Sequence, residues 1–303
     1  MLTFFTTGKA FVGHDETIQW NALKSWKRLH PDAEVIVFGD EPGAAEVCAE
    51  LGLRHEPDVE RHASGKPLLH SMFRRAQEIA QNEYLCFCNC DIVLAGDFLA
   101  AFEKAKAWRH RFLMVSRRWD VDVTWKIDFE RGDWATSLKA LAVTAGFQQD
   151  ESWVDYFVFR KGAFAEMPPL IVGHCYWDHW MIWRSLKDGM AVLDGSRFIF
   201  PVHQNHGYAP EFGRSKGMAT DTLSMANLEM IGGKGHLRCV DAATHRIGRG
   251  GAIRRVFVRD TYAVRSYVTY HLWLPMWHRF LDATRPMRTV LGWRSKSARQ
   301  RVS

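Results

Sequence analysis

The chain has 303 residues, 47% of them hydrophobic and 24% charged. That balance excludes a mini-protein and a disordered chain and requires a sizeable packed core, built as one large α/β domain or two smaller ones. The formal net charge of +6 is uneven, because residues 249–303 hold 12 Lys/Arg and 2 Asp/Glu while residues 1–248 hold 28 and 32, which argues against nucleic acid along the body and for an anionic partner at the tail.

The first 115 residues read as alternating strands and helices. Leu2 to Thr6 predicts a short strand, and His14 to Leu29 a helix with Ile18, Ala22, Leu23, Trp26 and Leu29 on one face, stopped by His30-Pro31. Val35 to Phe38 is an apolar strand ending in Gly39-Asp40, and Gly43 to Leu51 a helix closed by Gly52. Pro67 to Ala80 predicts a helix with Leu68, Leu69, Met72, Phe73, Ala76 and Ile79 on one side; Tyr84 to Cys90 and Phe112 to Ser116 predict further strands. Apolar strands alternating with helices imply a parallel sheet covered on both sides, a Rossmann-like half for a nucleotide.

Arg117 to Asp150 is Trp- and Asp-rich with no clear period. Trp153 to Arg160 then predicts a strand, Trp177 to Leu186 a helix closed by Gly189, Met190 to Phe200 a strand region, and Gly207 to Gly251 a Gly-rich loop. No run of about 18 apolar residues occurs, so no membrane span is expected. The apolar start is broken by Lys9, His14 and Asp15 before a secretory leader forms, so a cytosolic protein is expected. Cys86, Cys88 and Cys90 alternate and face one way on a strand. With no C-x-x-C present, they are expected to be reduced, buried thiols rather than zinc ligands.

The sharpest chemical signal is Phe87-Cys88-Asn89-Cys90-Asp91, an apolar strand ending in two acceptors. Ligands of open α/β sheets sit at strand carboxyl ends, where a carboxylate suits a hard divalent cation that also holds a diphosphate. The same residues also suit a plain strand-to-turn junction. Gly65-Lys66-Pro67 puts a lysine before a helix whose first position is proline, which suits an anion or an ordinary helix start. Asp155, among the aromatics of Trp153 to Phe159, needs a partner if buried. Asp178, at the start of a helix, is a cap, a first-turn charge or a general base. His203 and His206 at a strand end are candidate metal ligands on different strand phases, so one of them, His206 first, is expected to ligate.

The order of first strand, Gly-Lys-Pro helix and hydrophobic strand ending in Asn89-Cys90-Asp91 resembles glycosyltransferases of the GT-A fold over roughly residues 1–210. Their D-x-D motif binds a divalent metal and the sugar-nucleotide diphosphate; Asp91 matches its second aspartate, and Asn89 replaces its first. The resemblance implies a GT-A domain over 1–248, with a nucleotide-binding half (1–115) and an acceptor half (116–248), followed by a basic, aromatic helical extension (249–303). It implies Mn2+ or Mg2+ held by Asp91 with His206 or His203, and donor binding by Thr6, Thr7, Gly8, Asp40, Lys66 and Asn89. It implies acceptor binding by Asp155, Trp177 and Trp180, and Asp178 as the base of an inverting reaction, with Asp155 next in line. The activity implied is sugar transfer from a nucleotide-diphosphate donor to a saccharide or lipid-linked saccharide acceptor, as in bacterial surface-polysaccharide enzymes. A sugar-1-phosphate nucleotidyltransferase and a non-catalytic sugar- or membrane-binding module are the rivals. The first of these lacks its Gly-rich, Arg-bearing loop at Thr6-Thr7-Gly8-Lys9.

In the tail, arginines interleave with Tyr262, Tyr267, Tyr270, Trp273, Trp277 and Trp293, and Pro275 and Pro286 break any long helix. This pattern fits a peripheral element on an anionic membrane surface, or equally a helical cap on the domain.

Overall fold

The computed structural model describes residues 1–207 and 219–256, together with Met276 and Ala283. The chain divides into two units, Met1–Arg259 and Asp260–Ser303. Of the aromatic, basic extension expected over 249–303, the residues beyond 256 other than Met276 and Ala283 lie outside the described residues, with the aromatic residues of the expected membrane element among them.

In the first unit the elements, in chain order, are β1 (Leu2–Thr7), α1 (Gly13–Lys27), β2 (Glu34–Phe38), α2 (Ala44–Leu51), β3 (Arg54–Glu56), α3 (Leu69–Ile79), β4 (Tyr84–Cys88), β5 (Ile92–Val93), α4 (Gly96–Trp108) and β6 (Phe112–Val115). They continue with β7 (Trp119–Val121), α5 (Trp134–Ala145), β8 (Phe147–Gln148), β9 (Tyr156–Arg160), α6 (Trp177–Lys187), β10 (Ala191–Asp194), β11 (Val202–Gln204), α7 (Thr222–Met230), β12 (His245–Ile247) and β13 (Ile253–Arg255).

Nine strands form one sheet in the order β13-β12-β10-β6-β9-β4-β1-β2-β3. All its pairings are parallel except those of β9 with β4 and β6 and of β13 with β12. The mostly parallel α/β sheet is the one the sequence predicts. The chain winds outward from β1 to β3 and returns to β4 on the other side of β1. That reversal opens a crevice between the carboxyl ends of β1 and β4, the usual ligand position in such sheets.

Strand side chains alternate between two covered faces. Phe4, Val37, Cys86, Cys88 and Val158 pack with Trp26 of α1, Val47 of α2 and Phe98 of α4. On the other face, Phe5, Phe87 and Phe159 meet Phe73 of α3 at ring-centroid distances of 4.9–5.5 Å, and Phe87 and Phe157 meet Trp177 of α6. Helices therefore cover both faces. All six cysteines are free, five of them buried, and burial pushes the Cys88 and Cys90 thiols well up.

Five expectations need correction. Strand β4 stops at Cys88, because Asn89 and Asp91 lie in the turn that follows. The helix expected from Pro67 starts at Leu69, because Pro67 forms a bridge with Arg61 and Leu68 is extended. The strand expected from Trp153 starts at Tyr156. The stretch 117–150 holds β7, α5 and β8; in α5 only Leu138 and Ala142 are buried, too narrow a stripe to give a period. The expected loop 207–251 contains α7, capped by Asp221, whose carboxylate accepts from Leu223 N and Ser224 N. Strand β13 pairs antiparallel with β12.

Candidate functional site

A second, four-stranded sheet, β5-β11-β7-β8, stands at the crevice and builds its chemistry. Strand β5 follows Asp91 directly and pairs antiparallel with β11, placing His203 opposite Ile92. On its other side β11 pairs parallel with β7, placing His203 opposite Asp120. One strand thus carries an imidazole between two carboxylates that are distant in sequence. The chain leaves β11 after Gln204, so His206 is freed from the strand's phase and turns back to the same point. The expectation of a single histidine is corrected: both reach Asp91.

His206 Nε2 lies 3.0 Å and His203 Nε2 3.6 Å from Asp91 Oδ2, and one donor atom from each of the three residues falls within 4.8 Å of the others. Asp91 Oδ1 is buried with no hydrogen-bond partner among the described residues, which leaves it open to a ligand. Burial works to raise the Asp91 carboxyl, but the two imidazoles outweigh it and hold it well below the usual carboxylate range. Burial likewise opposes a charge on His203, yet Asp91 and Asp120 lift its pKa to about 9. An imidazolium therefore supplies positive charge beside Asp91 at neutral pH. Two imidazoles and a carboxylate with an open oxygen fit a first-row divalent cation, which would have to displace that proton.

Behind this cluster lies a network that sequence reasoning missed. Arg118 is 5% exposed and donates to Asp120 Oδ1 (2.8 Å) and Asp155 Oδ1 (2.9 Å), with its guanidinium 4.6 Å from the Trp153 ring centroid. Burial works against its charge, and Asp155 and Asp120 more than offset this, so its pKa stands above the ordinary arginine value. Asp120, which also accepts from Gln149, is held down at about 2 against its burial. Asp155 accepts from Asn89 Nδ2 at 2.8 Å, and its backbone carbonyl accepts from Asn89 N. Burial raises its carboxyl despite Arg118, and Asp155 Oδ2 is buried without a partner among the described residues. The available signal was Arg118-Trp119-Asp120, two opposite charges two residues apart and hence on one face of an extended segment.

The other predicted residues divide. Strands β1 and β4 are parallel with Phe5 opposite Phe87, so Thr7 comes level with Asn89; Thr7 Oγ1 is buried and unpartnered among the described residues. Thr6 is fully buried. A Cβ on Gly8 would sit 2.6 Å from Gln19 Oε1, so the residue type is set by close packing. Lys9, not singled out from sequence, donates its Nζ to His206 Nδ1 at 3.2 Å. Asp178 lies in the first turn of α6, where its Oδ1 accepts from His179 N at 2.9 Å.

Four of the expected residues have partners of their own in the structure. Trp177 and Trp180 are 6% and 3% exposed and pack on Phe87, Phe157 and Phe164, so neither ring is open to a sugar. Lys66 lies three residues before Leu69, where α3 starts, and Leu69 N donates to Leu170 O. Asp40 is paired with Arg61, which also holds Glu41, the role of a turn aspartate.

No protein-family model and no curated protein matches the chain. Among solved structures it is similar to glucosyl-3-phosphoglycerate synthase from Mycobacterium tuberculosis in complex with Mg2+ and uridine diphosphate (12% identity, TM-score 0.46, covering 77% of this chain and 80% of that one). A complex of that synthase with phosphoglyceric acid gives 11% identity and a TM-score of 0.48 over 77% and 81%. S. aureus TarS 1-349 with UDP-GlcNAc gives 10% and 0.44 over 76% and 70%. Likeness at these scores assigns no activity to the chain.

Proposed function

We propose that the chain is a glycosyltransferase that moves a sugar from a nucleotide-diphosphate donor to a saccharide or lipid-linked saccharide acceptor. The observation that carries this reading is the convergence of Asp91, His203 and His206 at the crevice between β1 and β4, with Asp91 Oδ1 buried and unpartnered among the described residues. These three residues would hold Mn2+ or Mg2+, the imidazoles favouring Mn2+. A bound cation would supply charge neutralisation for a diphosphate leaving group.

The chain's own groups have separate tasks in this reading. Thr7 Oγ1 and the tight Gly8 turn line the donor side of the crevice. Asp155, held by Arg118 and Asn89, offers its unpartnered Oδ2 to an acceptor hydroxyl. Asp178 takes the proton from the attacking hydroxyl in an inverting displacement. The excess of 12 basic over 2 acidic residues in 249–303 supports attachment to anionic membrane near a lipid-linked acceptor. Salt-sensitive co-sedimentation with anionic but not neutral vesicles tests that part.

The decisive experiment is a panel of sugar nucleotides with Mn2+, scored for release of nucleoside diphosphate, with Asp91→Ala alongside. Release by the wild type from one donor and its loss in the variant are expected. No release from any donor, with and without saccharide acceptors, overturns the reading.

A further inference from the structure

We propose that the β12–β13 edge of the nine-stranded sheet and the adjoining end of α4 form a docking face for an anionic bilayer. The inference deepens the membrane part of the proposed function and rests on it for the partner. It assigns the contact to the folded domain rather than to the tail alone.

Two segments distant in sequence build the face. Residues 104–111 hold Lys104, Lys106, Arg109 and Arg111, and residues 245–255 hold Arg246, Arg249, Arg254 and Arg255, with no Asp or Glu in either. The fold brings them together. Strand β13 pairs with β12, setting Arg255 opposite His245 and Arg254 opposite Arg246, and α4 packs against β13. The ring centroids of His245 and Trp108 are 4.7 Å apart, and the Arg109 guanidinium lies 5.1 Å from the Trp108 ring. A Cβ on Gly251, in the hairpin turn, would come within 2.5 Å of Lys104 Cε. The glycine thus seats the lysine stem and fixes where its ammonium stands.

Most of these charges are uncompensated. Arg246 is bonded to Asp194, and Lys106 stands 3.8 Å from Glu103. Lys104, Arg109, Arg249, Arg254 and Arg255 are exposed and pair with no carboxylate among the described residues. His245 registers the crowding: burial lowers its pKa first, and Arg109 and Arg255 lower it further. Like charges gathered this way repel in the free protein, and an anionic partner relieves the repulsion. Arginines on a sheet edge also block edge-to-edge pairing, which accounts for those of β13 but not for Lys104 and Arg109. The chain continuing from β13 sets Tyr262, Tyr267, Tyr270, Trp273 and Trp277 among basic residues, a composition that suits a bilayer interface better than a nucleic acid. Strand β13 lies five strands along the sheet from β4, roughly 24 Å at the usual spacing, so changes there leave the Asp91 cluster intact.

The test is co-sedimentation of the full chain with phosphatidylglycerol and with phosphatidylcholine vesicles. Arg109→Gln, Arg254→Gln and Arg255→Gln together remove three charges. Binding to the anionic vesicles should fall about 100-fold, some fivefold for each basic residue held at an anionic leaflet, with the urea midpoint unchanged. Arg109→Gln and Arg255→Gln alone should each lose about fivefold, which decides the matter if the triple variant fails to fold. Arg28→Gln, Arg74→Gln and Arg131→Gln together remove the same charge from cations already paired with Glu130, Glu60 and Asp133, and should weaken binding far less. Full binding by the Arg109 triple variant, or equal loss in this control, overturns the docking face and leaves the tail as the attachment. Binding to duplex DNA without binding to vesicles makes the face a nucleic-acid surface and overturns the inference too. A wild type that binds no anionic vesicle sinks the inference and the membrane part of the proposed function together, while the sugar-nucleotide panel judges sugar transfer separately.

Discussion

Asn89 donates its side-chain amide to Asp155 Oδ1 at 2.8 Å, so the residue standing where a D-x-D motif has its first carboxylate is bonded to a carboxylate of its own. Asp155 already raises the local cost of negative charge, because Asp91 lies close enough to push its carboxyl upward. An aspartate at 89 would put a second anion against Asp155, to which Arg118 already donates.

Asn89→Asp is therefore expected to weaken the site rather than improve it. Like charges at hydrogen-bond distance cannot both ionise, and the amide bond to Asp155 Oδ1 is lost while Arg118 still donates to that oxygen, a net cost of about 0.5–1.5 kcal/mol. A lower midpoint in urea and no gain in Mn2+ affinity are expected. Tighter Mn2+ binding at unchanged stability would show that Asn89 is only a worn motif position.

Removing Arg118 should be costlier. Arg118→Met leaves Asp120 with Gln149 and His203 but Asp155 with only the neutral amide of Asn89, and removing one partner of a buried ion pair typically costs about 3–5 kcal/mol. Urea unfolding measures this directly. A loss below about 1 kcal/mol would mean that the network behaves like a surface pair.

The parallel sheet was legible because Val35–Phe38, Tyr84–Cys88 and Phe112–Val115 are apolar on both faces, the mark of strands covered on both sides. Asp91 was legible from its place at a strand end. Arg118 and Asp120 were not, because β7 is three residues long, Arg118 lies just before it, and Asp120, its one polar residue, is buried. A periodicity test weighs apolar residues and has nothing to count there. The convergence of His203 on Asp91 was equally hidden: it depends on the pairing of β5 with β11 over more than a hundred residues, which no local pattern encodes. Trp177 and Trp180 misled because aromatic residues near a carboxylate look alike whether they face a sugar or a phenylalanine cluster.

Asp178 has two competing tasks with different signatures. As the base it acts in the transition state, so Asp178→Asn should lower kcat by about 10²-fold or more while donor KM changes little. As a first-turn charge it contributes about 0.3–1 kcal/mol through the helix dipole, so the same variant would lose that much stability and keep its kcat. Steady-state kinetics together with thermal melts separate the two. A near-normal kcat removes Asp178 as the base.

The pH dependence of folding follows from two opposite shifts in one cluster. Asp120 falls from an ordinary 3.8 to about 2, so its contribution to stability is complete above the ordinary value and is lost as pH falls through the folded one. Asp91 acts in the same sense. His203 rises from 6.5 to about 9, so its contribution is complete below pH 6.5 and disappears as pH climbs through 9. His179, half-buried and lifted to about 10 chiefly by Asp178 against its desolvation, adds a second alkaline step above it. The metal-free protein should therefore be most stable between about pH 4 and 6.5, declining on both sides. Urea midpoints across pH 3–10 check the shape. His203→Gln should remove the lower alkaline step and keep the upper one. Mn2+ should stabilise the wild type more at pH 8.5 than at pH 6, since the cation competes with a proton on His203. An alkaline limb identical in wild type and His203→Gln would show that His203 is neutral in the folded protein.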